Sequence, residues 1–287
     1  MDRTVEGPAG GSGGRAGRPV AVVTGASRGL GAGLAARFAA RGFGLGLCAR
    51  HEPAAPPVPP GSSSGESATD VDGDAEAEGD AVGRGAEASR VVTAAVDVTD
   101  PAAVDRFAAE VVARLGRIDL WVNNAGLLAP IAPLRDADPA ELRANVEVNV
   151  LGVMYGSAAF ARHVRSRPGG GVLVNISSGA ATKAYEGWAG YCASKAAVDH
   201  LTRVVAIEEA EAGLRTFAVA PGVVDTEMQA AIRATPPERF PAVERFHEMK
   251  RTEAFNSPAW VADHILGLMD DASPDLPLIQ RVPDEPG

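Results

Sequence analysis

Tyr191 and Lys195 stand four residues apart in the run YCASK, a spacing that puts both on one face of a helix. A free tyrosine titrates near ~10 and is a weak acid–base group close to neutrality. A neighbouring ammonium favours the phenolate, so the pair is expected to lower that value and act as a tuned general acid/base. Ser178 follows a short apolar run and is placed to donate a hydrogen bond to a substrate carbonyl oxygen. Asn149, on a preceding helix, is expected to hold a water that links Lys195 to solvent. Taken singly, each residue also has a structural reading: a helix tyrosine, a surface cation, a turn former, a helix polar group. Their joint placement favours the chemical one.

A second set of residues suits phosphate. The run Thr24-Gly25-Ala26-Ser27-Arg28-Gly29-Leu30-Gly31 follows an apolar stretch and opens a helical pattern. Glycines let a backbone turn sharply and approach a pyrophosphate, and the helix start offers free N–H groups and a positive dipole end. A strand–glycine–helix unit of this form binds dinucleotides. Sites that prefer NAD commonly carry an acid at the end of the second strand, bonding the ribose 2′-hydroxyl. Here that place holds Ala49 and then Arg50. With no carboxylate to repel a 2′-phosphate, and with Arg28 and Arg50 to clamp one, NADP(H) is the expected cofactor.

These residues need elements to position them. Apolar, Val-rich runs at 18–24, 43–49, 91–96, 118–122, 171–176 and 214–219 read as buried parallel strands. Helical patterns alternate with them, at about 30–41, 101–115, 139–165, 187–212 and 258–270. Asp100 is the expected N-cap of the second, with Pro101 at its first position. Residues 228–249 are polar with helical pieces. Strict alternation predicts an α/β fold: a single Rossmann-type, doubly wound parallel sheet with helices on both faces. In such sheets ligands bind beyond the carboxyl ends of the strands, where Gly25–Gly31, Arg50, Asp97, Asn124, Ser178 and Pro221 all fall.

The chain has 287 residues and a formal net charge of -10. Between Glu52 and Ser89 lie nine acids and one strong base, Arg84, so the remainder, with 28 acids and 26 bases, is nearly neutral. This window, opening on a proline-rich run, buries too little to offset its ordering entropy and reads as a disordered insertion at 52–89 within a domain spanning 18–287. Residues 1–17 read as a second disordered segment. An acidic chain is a poor coat for nucleic acid. No apolar run approaches the ~18 residues of a membrane span, and the N-terminal run has no apolar core of the secretory kind. Two cysteines, Cys48 and Cys192, make no disulfide framework, and a cytoplasmic setting is expected. The five histidines are scattered, so no metal site is expected.

The motifs TGASRGLG (24–31), Asp97-Val98, NNAG (123–126), Asn149, NISS (175–178), YCASK (191–195) and PGVVDT (221–226) resemble those of short-chain dehydrogenase/reductases. The resemblance spans roughly 18–270. It implies Ser178, Tyr191, Lys195 and Asn149 as a catalytic tetrad. Cofactor contacts would come from Gly25, Ser27, Arg28, Gly29, Leu30, Gly31, Arg50, Asp97, Val98, Asn124, Ala125, Gly126, Tyr191 and Lys195. Pro221, Gly222, Val224 and Thr226 would hold the nicotinamide side. The stretches 187–209 and 220–233 are similar to sepiapterin reductases and bacterial benzil-type diketone reductases. That likeness implies NADPH-dependent reduction of a ketone or vicinal diketone, with Tyr185, Trp188 and Met228 joining Ser178 and Tyr191 near the substrate. Trp188 has an equal reading as core packing at a helix start. The tail SPDLPLIQRVPDEPG lacks the context of the pterin-anchoring acid. Other functions in view are alcohol oxidation, 3-oxoacyl thioester reduction and dinucleotide sensing without turnover. The resemblance also implies a homodimer or homotetramer through the two long helices.

Overall fold

A computed structural model describes residues 18–57, 90–271, 273 and 275–286. The disorder expected for 1–17 and for 58–89 lies outside those residues. Residues 52–57, counted with the insertion, run as irregular chain with Pro53 buried, and Glu52 accepts a hydrogen bond from the Thr93 hydroxyl.

Among the described residues, seven parallel strands form one sheet in the order β3-β2-β1-β4-β5-β6-β7. They are β1 (Val20–Thr24), β2 (Gly44–Ala49), β3 (Val91–Ala95), β4 (Leu120–Asn123), β5 (Gly171–Ile176), β6 (Leu214–Ala220) and β7 (Ile279–Arg281). The helices are α1 (Gly29–Ala40), α2 (Pro101–Leu115), α3 (Pro139–Val146), α4 (Gly152–Arg165), α5 (Ala189–Glu208), α6 (Glu227–Arg233), α7 (Val243–Arg251) and α8 (Pro258–Asp270).

Successive strand residues face opposite layers. Ala21 and Val23 of β1, Leu120 and Val122 of β4, and Val172 and Val174 of β5 pack with Leu34 and Phe38 of α1 and with Val261 and Ile265 of α8. Their neighbours Val20, Val22, Trp121 and Leu173 pack with Phe107 and Val111 of α2 and with Phe160 and Val164 of α4. Burial on both faces explains why the strands are continuous apolar runs. The strand order reverses between β1 and β4, which is where ligands enter sheets of this kind.

The structure departs from the sequence expectation in three places. The segment 139–165 is not one regular helix: a π-turn at Glu147–Leu151 separates α3 from α4 and carries Asn149. The helix expected at 187–212 begins at Ala189 and ends at Glu208, with a short 3-10 turn at Ala210–Ala212. The tail supplies a seventh strand, β7, which pairs with β6 through Ala218↔Ile279 and Ala220↔Arg281.

Buried polar groups brace the sheet below the strand ends. Asn123 accepts from Trp121 Nε1 at 2.8 Å and donates to Asn175 Oδ1 at 2.9 Å, and Asn175 donates to Thr202 Oγ1 at 3.0 Å. A Cβ at residue 156 would lie 2.1 Å from Asn123 Oδ1, so Gly156 lets α4 close on this ladder. Among the described residues, no helix is long and apolar enough to cross a membrane.

Candidate active site

The glycine loop and the end of β4 are interlocked. Asn124 Nδ2 donates to the carbonyls of Thr24 at 2.9 Å and Gly25 at 3.2 Å. The Thr24 hydroxyl accepts from the backbone N–H groups of Asn124 and Ala125 at 3.0 and 3.1 Å. Gly25 has φ +67°, and a Cβ there would sit 2.8 Å from Ala125 Cα. A Cβ on Gly31 would sit 2.3 Å from the Gly25 carbonyl oxygen. These glycines are therefore needed to pack loop against strand end, before any ligand is considered.

The donor set at the start of α1 fits a dinucleotide pyrophosphate. Helices α2, α3 and α8 have side-chain N-caps in Asp100, Asp138 and Ser257. Helix α1, like α4 to α7, has no side-chain cap, and it has no acid in its first turn. Ser27, Arg28 and Gly29 are exposed, so the loop and the positive end of α1 face solvent. Thr226 closes the other side of this loop: a Cβ on Gly29 would lie 3.1 Å from Thr226 Cγ2. Val224 is buried nearby in the core, and Gly222 has φ +76°.

Arg28 does not stand free as expected. Its guanidinium is ion-paired with Glu227 at the start of α6. Arg50 is exposed directly after β2, with no acid at 49 or 51. Asp97 accepts from the Thr99 backbone N–H and hydroxyl at 2.9 and 2.8 Å, forming a tight turn after β3. Val98 is buried and packs on Gly152, where a Cβ would come within 2.8 Å of its methyl.

Ser178 ends the loop after β5 and accepts from the Ala180 N–H at 3.2 Å. Tyr191 and Lys195 project from α5 and are both buried, at 9% and 4% exposure. The Lys195 ammonium donates to the Ile176 carbonyl at 2.7 Å and lies 5.6 Å from the Tyr191 ring centroid. Burial pushes the Tyr191 phenol above its ordinary value, while the Ser178 hydroxyl pulls the other way. This reverses the direction expected from the YCASK pair alone, because desolvation is the largest influence on the phenol; burial also pushes the Lys195 ammonium down to about 8. Asp199, one turn further along α5, opposes that fall.

Asn149 occupies the π-turn, a distortion that recurs at functional sites. Its amide clamps Leu127 from both sides, accepting from the Leu127 N–H and donating to its carbonyl, each at 2.7 Å. It also donates to Asn145 Oδ1 and Ser194 Oγ, each at 3.1 Å. Any water-holding role competes with these bonds. Gly126 lies between Asn149 and Lys195, and a Cβ there would be 3.3 Å from Asn149 Oδ1 and 3.8 Å from Lys195 Nζ.

The expected substrate side chains gather around Trp188. Its indole meets Tyr185 at 4.8 Å and Tyr191 edge-on at 5.7 Å between ring centroids. It also stacks on Phe240 at 4.7 Å and lies 5.6 Å from Phe246. Trp188 is thus a buried member of an aromatic wall that includes the Tyr191 ring, with Met228 packed against it. Phe240 and Phe246 were hidden in the polar stretch, where no period marks them. Asn145 and Asp199 were also missed, although both stand four residues from a named site residue on a helix. Glu227 and Asn256 carry no such signal.

A seven-stranded parallel sheet of this order, with a glycine loop at its reversal and a Ser–Tyr–Lys cluster at its carboxyl edge, defines a Rossmann-type oxidoreductase fold. The sequence pattern of the short chain dehydrogenase family matches residues 71–237, more than half of the chain, and the protein belongs to that family. A benzil reductase ((S)-benzoin forming) of Bacillus cereus is 40% identical over 151 residues, which cover 52% of this chain and 61% of the relative. The match therefore spans less than two thirds of that enzyme's length. A cis-4-hydroxycyclohexanecarboxylate dehydrogenase of Sinomonas cyclohexanicum is 33% identical over 258 residues, covering 88% of this chain and 90% of the relative. Among solved structures, the KRED1-Pglu enzyme superposes with a TM-score of 0.70 at 31% identity, covering 90% of this chain and 97% of its own.

Proposed function

We propose that the protein reduces a ketone or vicinal diketone to the alcohol with NADPH. The observation that carries this reading is the meeting of Ser178 with the buried Tyr191 and Lys195 at the carboxyl edge of the sheet, with a glycine loop and helix start suited to pyrophosphate. The dinucleotide supplies the hydride. Ser178 Oγ–H donates to the substrate carbonyl oxygen and orients it. Tyr191 delivers its phenolic proton to that oxygen as negative charge develops. The Lys195 ammonium stabilises the phenolate left behind, an interaction strengthened by burial. A phenol held protonated by desolvation is in the correct form for this direction.

Gly25, Ser27, Gly29, Leu30 and Gly31 would cradle the pyrophosphate. Asp97 and Val98 would flank the adenine, with Asn124, Ala125 and Gly126 along the cofactor. Pro221, Gly222, Val224 and Thr226 would border the nicotinamide. Arg50 supports NADPH over NAD, since no acid stands at the end of β2. The aromatic wall of Tyr185, Trp188 and Phe240 suits a flat conjugated substrate, and the benzil reductase relative points the same way. The Sinomonas relative, matched over most of its length, supports a second reading, oxidation of a cyclic alcohol. Assays in both directions separate the two: diketone-dependent loss of absorbance at ~340 nm must exceed alcohol-dependent gain at the same pH.

We also propose a homo-oligomer through the long helices. Val146 of α3, Met154 of α4, and Val204 and Ile207 of α5 expose apolar side chains. Light scattering of the purified protein tests this; a monomer contradicts it. The free cysteines Cys48 and Cys192 suit a reducing cytoplasm.

A further inference from the structure

The C-terminal tail has no part in the chemistry above, yet it is tied to the loop that would border the nicotinamide. Asn256, 5% exposed, is the knot. Its Nδ2 donates to the Pro221 carbonyl at 2.9 Å and to the Pro283 carbonyl at 3.2 Å. Its Oδ1 accepts from the Glu285 N–H at 2.8 Å, and its own N–H donates to the Val223 carbonyl at 2.8 Å. Ser257 extends the contact: its N–H donates to one Glu285 carboxylate oxygen and its hydroxyl to the other, at 3.0 Å. Trp260 Nε1 adds a bond to the Pro283 carbonyl at 2.9 Å.

Resting on the dinucleotide reading, we infer that Asn256 is a positioning residue that clasps the C-terminal tail to the Pro221–Val223 turn and thereby fixes the nicotinamide side of the cofactor cleft. Only asparagine supplies two donors and an acceptor from so short a side chain. Aspartate would lose both donors and leave two carbonyls facing a carboxylate. Gly222 belongs to the same device, because a Cβ there would lie 2.6 Å from Asn256 Nδ2. The turn continues through Val224, buried in the core, to Thr226 beside Gly29, so a shift at Asn256 reaches the phosphate loop by a short rigid path. The Glu285 carboxylate also sits at the start of α8, where the helix dipole favours negative charge.

The test uses the full chain with Asn256→Ala, Asn256→Asp and Glu285→Ala. The last leaves the Asn256 side chain intact and loosens only the tail, so it guards against simple misfolding. Four quantities are read: the Kd of NADPH by titration without substrate, amide hydrogen exchange at 222–226 without any cofactor, the diketone KM at saturating NADPH, and the melting temperature. Kd is expected to rise about tenfold in both Asn256 variants and about threefold in Glu285→Ala. Exchange at 222–226 is expected to speed up in all three. The diketone KM at saturating NADPH should stay within about twofold of wild type, as a cofactor-side effect requires. The inference is overturned if all three variants lower the melting temperature while Kd and exchange at 222–226 stay at wild-type values. If the wild type binds no dinucleotide, the reductase reading fails on its own account. Exchange at 222–226 then decides the clasp: faster in the variants upholds it, unchanged overturns it.

Discussion

Asp199 lies one helical turn beyond Lys195, and its carboxylate accepts the hydroxyl of Ser177, the residue before Ser178. One side chain thus braces the strand end that carries Ser178 and sets a negative charge near the Lys195 ammonium. Among the described residues, Tyr191 and Cys192 lie on the same helix, and Arg203 bonds the Asp199 carbonyl at 3.3 Å. Lys195 is held at about 8 because burial lowers it and Asp199 raises it. Asp199→Asn removes the raising partner, so the ammonium loses its proton at lower pH. Reduction, which needs the ammonium, should then lose its alkaline side earlier. We expect kcat at pH ~8.5 to fall about five- to tenfold while kcat at pH ~6.5 changes little. A uniform drop across the profile would mean that Asp199 serves only the fold.

Arg28 and Glu227 form an exposed ion pair across the mouth of the cleft. Exposed pairs contribute about 0–1 kcal/mol, so Glu227→Gln should leave stability almost unchanged. It releases Arg28 for the 2′-phosphate, and the Kd of NADPH should fall about two- to fivefold with NADH unaffected. Arg50→Asp should act in the opposite sense, weakening NADPH by about tenfold or more. Parallel titrations with the two cofactors check both variants.

Gly31 sits where loop and helix meet without room for a methyl group. With its Cβ 2.3 Å from the Gly25 oxygen, Gly31→Ala must displace backbone. Destabilisation of about 2 kcal/mol or more is expected in denaturant unfolding, together with loss of dinucleotide binding.

Phe240 stacks on Trp188 with an interplanar angle of 9° and is fully buried. Phe240→Ala should cost about 3–5 kcal/mol by unfolding. It should also raise the KM for aromatic diketones more than that for a small aliphatic one. Equal effects on both substrates would place the stack outside the substrate wall.

The parts of this site that follow local rules are legible in the sequence. Tyr191 and Lys195 share a helix face because of their spacing, and the glycine loop falls between β1 and α1 because strand and helix periods change there. Asp100 caps α2 as its position dictates. What escaped depends on long-range packing. The π-turn around Asn149 leaves no trace in periodicity, since the residues on either side remain helical. The rise of the Tyr191 phenol comes from desolvation by elements distant in sequence, whereas its spacing to Lys195 suggests a fall. The seventh strand is three residues long and exists because β6 offers it an edge. Position alone makes Arg28 a phosphate ligand; its partner Glu227 is 199 residues away and invisible to local pattern.

In the proposed reaction, Tyr191 gives its proton to a carbonyl reduced by NADPH. The most direct measurement follows absorbance at ~340 nm with NADPH and an aromatic vicinal diketone, comparing wild type with Tyr191→Phe. The ring of Phe keeps the aromatic contact with Trp188, and a parallel titration of NADPH separates loss of proton transfer from loss of the Tyr191 cofactor contact. We predict diketone-dependent oxidation of NADPH by the wild type and a loss of about 100-fold or more in kcat for Tyr191→Phe. Turnover that survives in Tyr191→Phe would rule out Tyr191 as the proton donor, and a wild type that binds NADPH and reduces no carbonyl would rule out the reductase itself.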